Sequence, residues 1–244
     1  MKPDKIKEAY NNLCESYYVA RKNKNSETDF FNTNLEMPTT LKLLGNVKNK
    51  KILDLGCGPG FYTKILNENG AKIKGIDISE ESIKIAQKEN PSIELKVGDI
   101  TKKLPFRNSE FDIVLSSLVL DHIENWNPVF KEVNRVLKKG GMFIFSTYNP
   151  VVFKVKRKKW FFKKIREYYG YFDENMVKEH WGKETIEHHH KTYGTRIRFI
   201  VNNGFEIIDY EDSFPSKESE TIYPKYYKRY SQVPKFCTWK VKKK

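Results

Sequence analysis

The stretch Ile52-Leu53-Asp54-Leu55-Gly56-Cys57-Gly58-Pro59-Gly60 carries the reading of the fold. Residues 51–55 make a compact apolar strand, and a cluster of glycines ends it at once. A helical pattern over 61–69 follows and is closed by Gly70. Without Cβ atoms, the glycine turn can bend sharply and approach a ligand closely. Two phosphate-binding loops share this outline, and neither fits. A dinucleotide loop of the form GxGxxG puts its third glycine at position 61, where Phe61 stands. A triphosphate loop needs Gly-Lys-Ser or Gly-Lys-Thr after its glycines, which this stretch lacks.

Outward from that turn, the chain alternates strand and helix. Strands are predicted at 73–78, 95–97, 111–116 and 142–147. Ser79 reads as the N-cap of a helix running to about 89, and 128–137 as a helix ended by Gly140-Gly141. Repeated strand–crossover units of this length predict a parallel sheet covered by helices on both faces, with ligands beyond the carboxyl ends of its strands. Upstream, Ile6, Tyr10, Leu13 and Tyr17 recur at helical spacing, so a helix is expected over 5–20. Residues 21–29 read as a loop and 37–44 as a short helix with Pro38 in its first turn. Downstream, 151–191 is too long for an ordinary connection and is crowded with aromatics, among them Trp160, Phe161, Phe162, Tyr168, Tyr169 and Trp181. It is expected to be a lid over the pocket mouth. A helix over 192–203, a sixth strand over 205–210 and a final strand over 236–241 complete the pattern.

Composition bounds the class. At 244 residues with 39% hydrophobic residues, the chain can bury a sizeable core in one domain. No apolar run is long enough to span a membrane and no secretory signal is visible at the start. Cys14, Cys57 and Cys237 are far apart and in no metal-ligand spacing, which fits a reducing cytoplasm and no structural zinc. The net charge of +14, mostly from lysine, is compatible with an anionic partner or with a solvated basic surface.

The glycine segment resembles motif I of the class I S-adenosylmethionine-dependent methyltransferases, and the acids downstream extend the likeness. The resemblance implies a Rossmann-like sheet of seven mostly parallel strands with helices on both faces, N-terminal helices and a lid between strands five and six. It implies one domain divided into a helical cap (1–50), a cofactor core (51–150), a lid (151–191) and the C-terminal part of the sheet (192–244). S-adenosylmethionine is the implied cofactor. Asp54, Gly56, Cys57 and Gly58 would lie at its methionine end. Asp77, followed by Ile78, would accept from the ribose hydroxyls, as a carboxylate suits a vicinal diol. Asp99 and Ile100 would hold the adenine. Ser116, ending the Phe111-Asp112 strand, would lie near the cofactor, and Tyr10 or Tyr18 would close over it from the first helix. The likeness is greatest to the small-molecule branch related to ubiquinone and menaquinone biosynthesis. Glu36-Met37-Pro38, Asn149-Pro150 and His190 resemble elements of one bacterial group within it.

On the acceptor side, His122 is the candidate base, its ordinary pKa suiting proton transfer near neutrality. Asp121 is a candidate partner for it, and His190 a second candidate reaching from the lid. His188, His189 and His190 are consecutive, so their side chains diverge and no metal site is expected. The implied partner is a small acceptor, aromatic or anionic, for a monomer or homodimer. The basic run 154–166 beside Trp160, Phe161 and Phe162 raises peripheral membrane contact. Two alternatives stand beside this reading: an RNA methyltransferase using the basic surface, although no Asn-Pro-Pro-Tyr motif follows strand four, and a non-catalytic cofactor-binding protein.

Overall fold

The computed structural model describes residues 3–152, 155–160, 163–168 and 170–244. The chain opens with helix α1 (Pro3–Lys22), then α2 (Glu27–Asp29), a π-helical turn over Phe30–Glu36 and α3 (Met37–Leu44). Sequence pattern predicts a loop over 21–29, but α1 runs to Lys22 and helix begins again at Glu27. The Ser26 hydroxyl caps it by accepting from the Asp29 amide at 2.9 Å. The wide turn falls just before Pro38, whose nitrogen has no hydrogen to give a regular helical ladder. Phe30 and Phe31 in that turn pack against Tyr223, Tyr230 and Phe236. Those partners lie nearly the whole chain away, so local pattern could not reveal the helix.

The alternating core follows as β1 (Lys51–Leu55), α4 (Phe61–Glu68), β2 (Lys72–Asp77), α5 (Glu80–Glu89), β3 (Glu94–Val97), β4 (Phe111–Ser117), α6 (Asn127–Val136) and β5 (Leu137–Tyr148). Two hairpins come next: β6 (Val155–Trp160) with β7 (Lys163–Tyr168), and β8 (Met176–Trp181) with β9 (Glu184–His189). The chain ends with α7 (Tyr193–Asn202), β10 (Phe205–Asp212), α8 (Ser219–Ile222), α9 (Pro224–Tyr230) and β11 (Phe236–Lys243). Seven strands form one sheet in the order β10-β11-β5-β4-β1-β2-β3, with β11 antiparallel to both neighbours. This is the Rossmann-like, mostly parallel sheet expected, with the inserted segment between its fifth and sixth strands. Strand β5 starts five residues earlier than predicted because Gly140-Gly141 is a bulge rather than a turn: pairing with β4 slips between Phe111 and Ile113.

Alternation along the central strands fills both faces. Val114, Phe143 and Phe145 point to a core shared with Trp126, Phe130 and Phe205. Ile113, Leu115 and Ile144 point to the other core, against Tyr62 and Leu66 of α4 and Leu44 of α3. Each fully buried aromatic or aliphatic side chain here contributes about 1.5–3 kcal/mol of transfer free energy. The carboxyl ends of β1–β5 are thereby held rigidly along one rim, where the site lies.

Among the described residues no helix is long and apolar enough to cross a membrane. The side chains of the basic run 154–166 and of Trp160, Phe161, Phe162, Tyr168 and Tyr169 lie outside the described residues, and with them the expectation of membrane contact.

Candidate active site

A cavity of about 950 Å³ runs along the carboxyl rim, roofed by α1 and by the tip of the β8–β9 hairpin. The two roof elements touch, Asn12 donating to Glu184 at 3.0 Å. At one end of the cavity lie the glycine turn and the acids at the carboxyl ends of β1, β2 and β3.

Gly56 has φ of +80°, and a Cβ there would come within 2.4 Å of Val119, so only glycine fits. Asp54, buried at the end of β1, accepts from the Thr63 hydroxyl at 2.8 Å. Burial pushes its carboxyl up to about 7, against the opposing pulls of the Thr63 hydroxyl and the Arg21 cation. The Asp77 carboxylate is fixed by two amides, those of Gly58 and Ser79, each at 2.8 Å. Asp77 lines the cavity, and a carboxylate with lone pairs to spare suits a diol. Asp99 holds a tight turn, accepting from the amide and hydroxyl of Thr101 at 2.8 and 2.7 Å. Cys57, Ile78 and Ile100 complete this wall.

Arg21, missed in the sequence, is the most telling residue at this end. It ends α1, is only 8% exposed, and lines the cavity. Its guanidinium stacks on Phe61 at 4.2 Å from the ring centre, and Nη1 donates to the Tyr17 hydroxyl at 3.0 Å. Nε and Nη2 have no hydrogen-bond partner among the described residues. Buried guanidinium donors are costly to leave unpaired, and a carboxylate is the group that matches them. The site therefore suits a cofactor with a nucleoside at the Asp77–Asp99 end and an amino acid at the Asp54–Arg21 end. The only clue in the sequence was a basic residue one helical turn after Tyr17.

Three residues expected at the cofactor or acceptor stand elsewhere. The Tyr18 hydroxyl turns out of the cavity to donate to Glu89 at 2.6 Å, one residue past the helix face that lines it, while Tyr10 and Tyr17 face inward. The Ser116 hydroxyl is fully buried and donates to the Leu55 carbonyl at 2.9 Å, serving the sheet; Ser117 reaches the wall instead. His190 is buried with Nε2 at 2.9 Å from the Tyr171 carbonyl, away from the cavity. Glu36, read as a motif residue, is a buried tie, accepting from Thr40 and Tyr62 at 2.8 Å each.

His122 does line the cavity, on a short 3₁₀ turn (Leu120–His122) after β4. Its Nδ1 lies 3.1 Å from the Glu187 carbonyl, which can only accept, so Nδ1 carries the hydrogen. Nε2 is then the lone-pair nitrogen, and the Tyr10 hydroxyl donates to it at 2.7 Å. Burial, with the nearby His188, holds the ring's pKa down at about 3, so it is neutral across the physiological range. Asp121 is not its partner. That carboxylate points away into a fully buried pair with Arg196 at 3.3 Å and accepts from the Tyr148 amide at 2.6 Å. Arg196 in turn donates to the Thr147 hydroxyl at 2.6 Å and to the Tyr148 carbonyl at 2.8 Å, pinning α7 to the end of β5. Among the described residues no three His, Cys, Asp or Glu side chains gather as a metal site.

Fold and site together are those of a methyl-transferring enzyme. A family model described as "Methyltransferase domain" matches residues 53–145. An uncharacterized protein of Haemophilus influenzae is 30% identical over 215 residues, 82% of this chain and 83% of its own length. A demethylmenaquinone methyltransferase of Lactococcus lactis is 28% identical over 195 residues, covering 75% of each chain. The crystal structure of an S-adenosylmethionine-dependent methyltransferase from Mesorhizobium loti superposes with a TM-score of 0.76 at 28% identity, covering 85% of this chain and 97% of that one. The chain belongs to the class I S-adenosylmethionine-dependent methyltransferases, related to the ubiquinone/menaquinone-type small-molecule branch, and S-adenosylmethionine is its cofactor.

Proposed function

We propose that this enzyme methylates a small-molecule acceptor by in-line displacement, with His122 taking the acceptor's proton. The observation that carries the reading is the roofed cavity itself, which runs unbroken from the cofactor acids to His122 beneath α1 and the β8–β9 hairpin. Its volume, about 950 Å³, suits the cofactor with a small acceptor beside it. Of the inserted segment 151–191, the β8–β9 hairpin is the lid, and α1 of the 1–50 cap is its counterpart. The Lactococcus relative, a demethylmenaquinone methyltransferase, points the same way.

Bound S-adenosylmethionine supplies an electrophilic methyl group on a positively charged sulfur. The chain's own residues do the rest. Arg21 would receive the cofactor carboxylate, and Asp54 would serve its amino end. Asp77 would hold the ribose diol, and Asp99 with Ile100 the adenine. The roof excludes water, and the apolar wall of Ile6, Leu13, Val119 and Ile123 orients the acceptor. His122 presents Nε2 already unprotonated, and an acceptor hydroxyl or amine displaces Tyr10 from it.

The test is transfer of radiolabelled methyl groups from the cofactor into a cell extract separated into metabolites, RNA and protein. Label should enter the low-mass fraction and should require an intact His122. Label confined to RNA or protein would overturn the proposal.

A further inference from the structure

The cavity's far end carries a cation, Lys235, that Glu179 and Glu27 favour only through longer-range attraction, with no direct ion pair among the described residues. Lys235 lies just before β11, where Phe236 pairs with Tyr148 at the end of β5. The sheet order puts that position on the opposite side of the rim from the cofactor acids at the carboxyl ends of β1, β2 and β3. The Lys235 ammonium lines the cavity, half-buried over the Phe31 ring at 3.5 Å from its centre, with Tyr148 and Phe236 rings at 5.7 and 5.6 Å. It has no hydrogen-bond or ion-pair partner among the described residues. Ring faces compensate a desolvated ammonium only in part.

Glu179, on the same wall, is in the opposite state. Its carboxylate accepts from the Tyr148 hydroxyl and the Trp181 indole at 3.1 Å each, and lies 3.3 Å from His188 Nε2. The acidic group is satisfied within the protein and the basic one is not. A chain of ring contacts joins Lys235 to the base: Tyr148 meets His188 at 5.0 Å, and His188 meets His122 at 4.7 Å between centroids.

We propose that Lys235 is the specificity residue of the acceptor site and binds a carboxylate on the acceptor, placing the nucleophile of that molecule at His122. This rests on the small-molecule reading above and adds the chemical class of the acceptor. A carboxylate fits better than a phosphate dianion, because Glu179 shares the wall and a doubly charged group would be repelled by it. Burial lowers the ammonium's pKa, and an acceptor anion would reverse that cost.

The experiment uses the full chain loaded with S-adenosylhomocysteine and two matched probes, 4-hydroxybenzoate and its uncharged methyl ester, followed by calorimetry. Wild type should bind the carboxylate about tenfold or more tighter than the ester, the scale of one charge-assisted hydrogen bond. Lys235→Met should erase that preference, Lys235→Arg should keep it, and S-adenosylhomocysteine affinity should be unchanged in both, showing an intact fold. Equal binding of the probes, a preference that survives in Lys235→Met, or no carboxylate binding at millimolar concentration would each overturn the proposal. Failure of the small-molecule reading has a separate signature, methyl label appearing in RNA or protein.

Discussion

The Tyr10 hydroxyl donates to Nε2 of His122 across 2.7 Å, so the roof helix α1 is hydrogen-bonded to the candidate base on the sheet's rim. Removing that hydroxyl with Tyr10→Phe leaves a buried imidazole nitrogen unsatisfied, a cost of about 1–3 kcal/mol. The expected result is a melting temperature lower by roughly 2–4 °C for each kcal/mol in a chain of this size. Unchanged melting would show that the contact does not hold the roof down.

A histidine that is neutral by burial behaves differently from an exposed one. In the unfolded chain His122 takes a proton near 6.5, and in the folded protein only near 3. The unfolded state binds more protons between those values, so His122 makes stability fall as pH drops through that window. Its depressed pKa also keeps Nε2 unprotonated well below 6.5. Activity should therefore show no acid limb near 6.5, and His122→Gln should cost about a hundredfold or more in turnover at unchanged cofactor affinity. A limb at 6.5 in wild type, or full turnover in the variant, would remove His122 from the mechanism.

In the proposed binding mode Arg21 and Asp77 would address opposite ends of the cofactor, and two ligands separate them. Methylthioadenosine has the nucleoside but no amino-acid end. Arg21→Met should weaken S-adenosylhomocysteine about tenfold or more, the worth of a charge-assisted hydrogen bond, and leave methylthioadenosine untouched. Asp77→Ala should weaken both. Parallel losses in the Arg21 variant would place the guanidinium elsewhere on the ligand.

Asp54, pushed up to about 7, is close to half protonated at neutral pH. A raised carboxyl stabilises the fold below its unfolded pKa, and that contribution is lost as pH rises through about 7. A cofactor ammonium arriving beside it favours the charged form, so binding should release a fraction of a proton at pH 7. Calorimetry in buffers of different ionisation enthalpy reads this directly. Asp54→Asn should abolish the release; a binding heat independent of buffer in wild type would refute it.

Much of the cofactor half was legible because its signals are local. A strand, a glycine turn and an acid at the next strand end follow one another in sequence, and backbone geometry places them together. Tyr18 illustrates the limit of that approach: it is adjacent to the correct helix face, and helical geometry turns a neighbour by about 100°. Arg21 was invisible because its meaning comes from what it lacks, partners for two nitrogens. The buried pair Asp121–Arg196 and the aromatic setting of Lys235 depend on contacts made across the whole chain. No periodicity announces them.

The contact that fixes the His122 tautomer comes from the main-chain carbonyl of Glu187 in β9, not from a side chain. Every residue type offers the same carbonyl. Substitutions along the hairpin can thus reshape the proposed acceptor end while leaving the His122 proton where it is, provided the strand keeps its register. Such a division separates what is recognised from how the reaction is assisted, so new acceptors could be acquired by exchanging hairpin side chains without first rebuilding the chemistry.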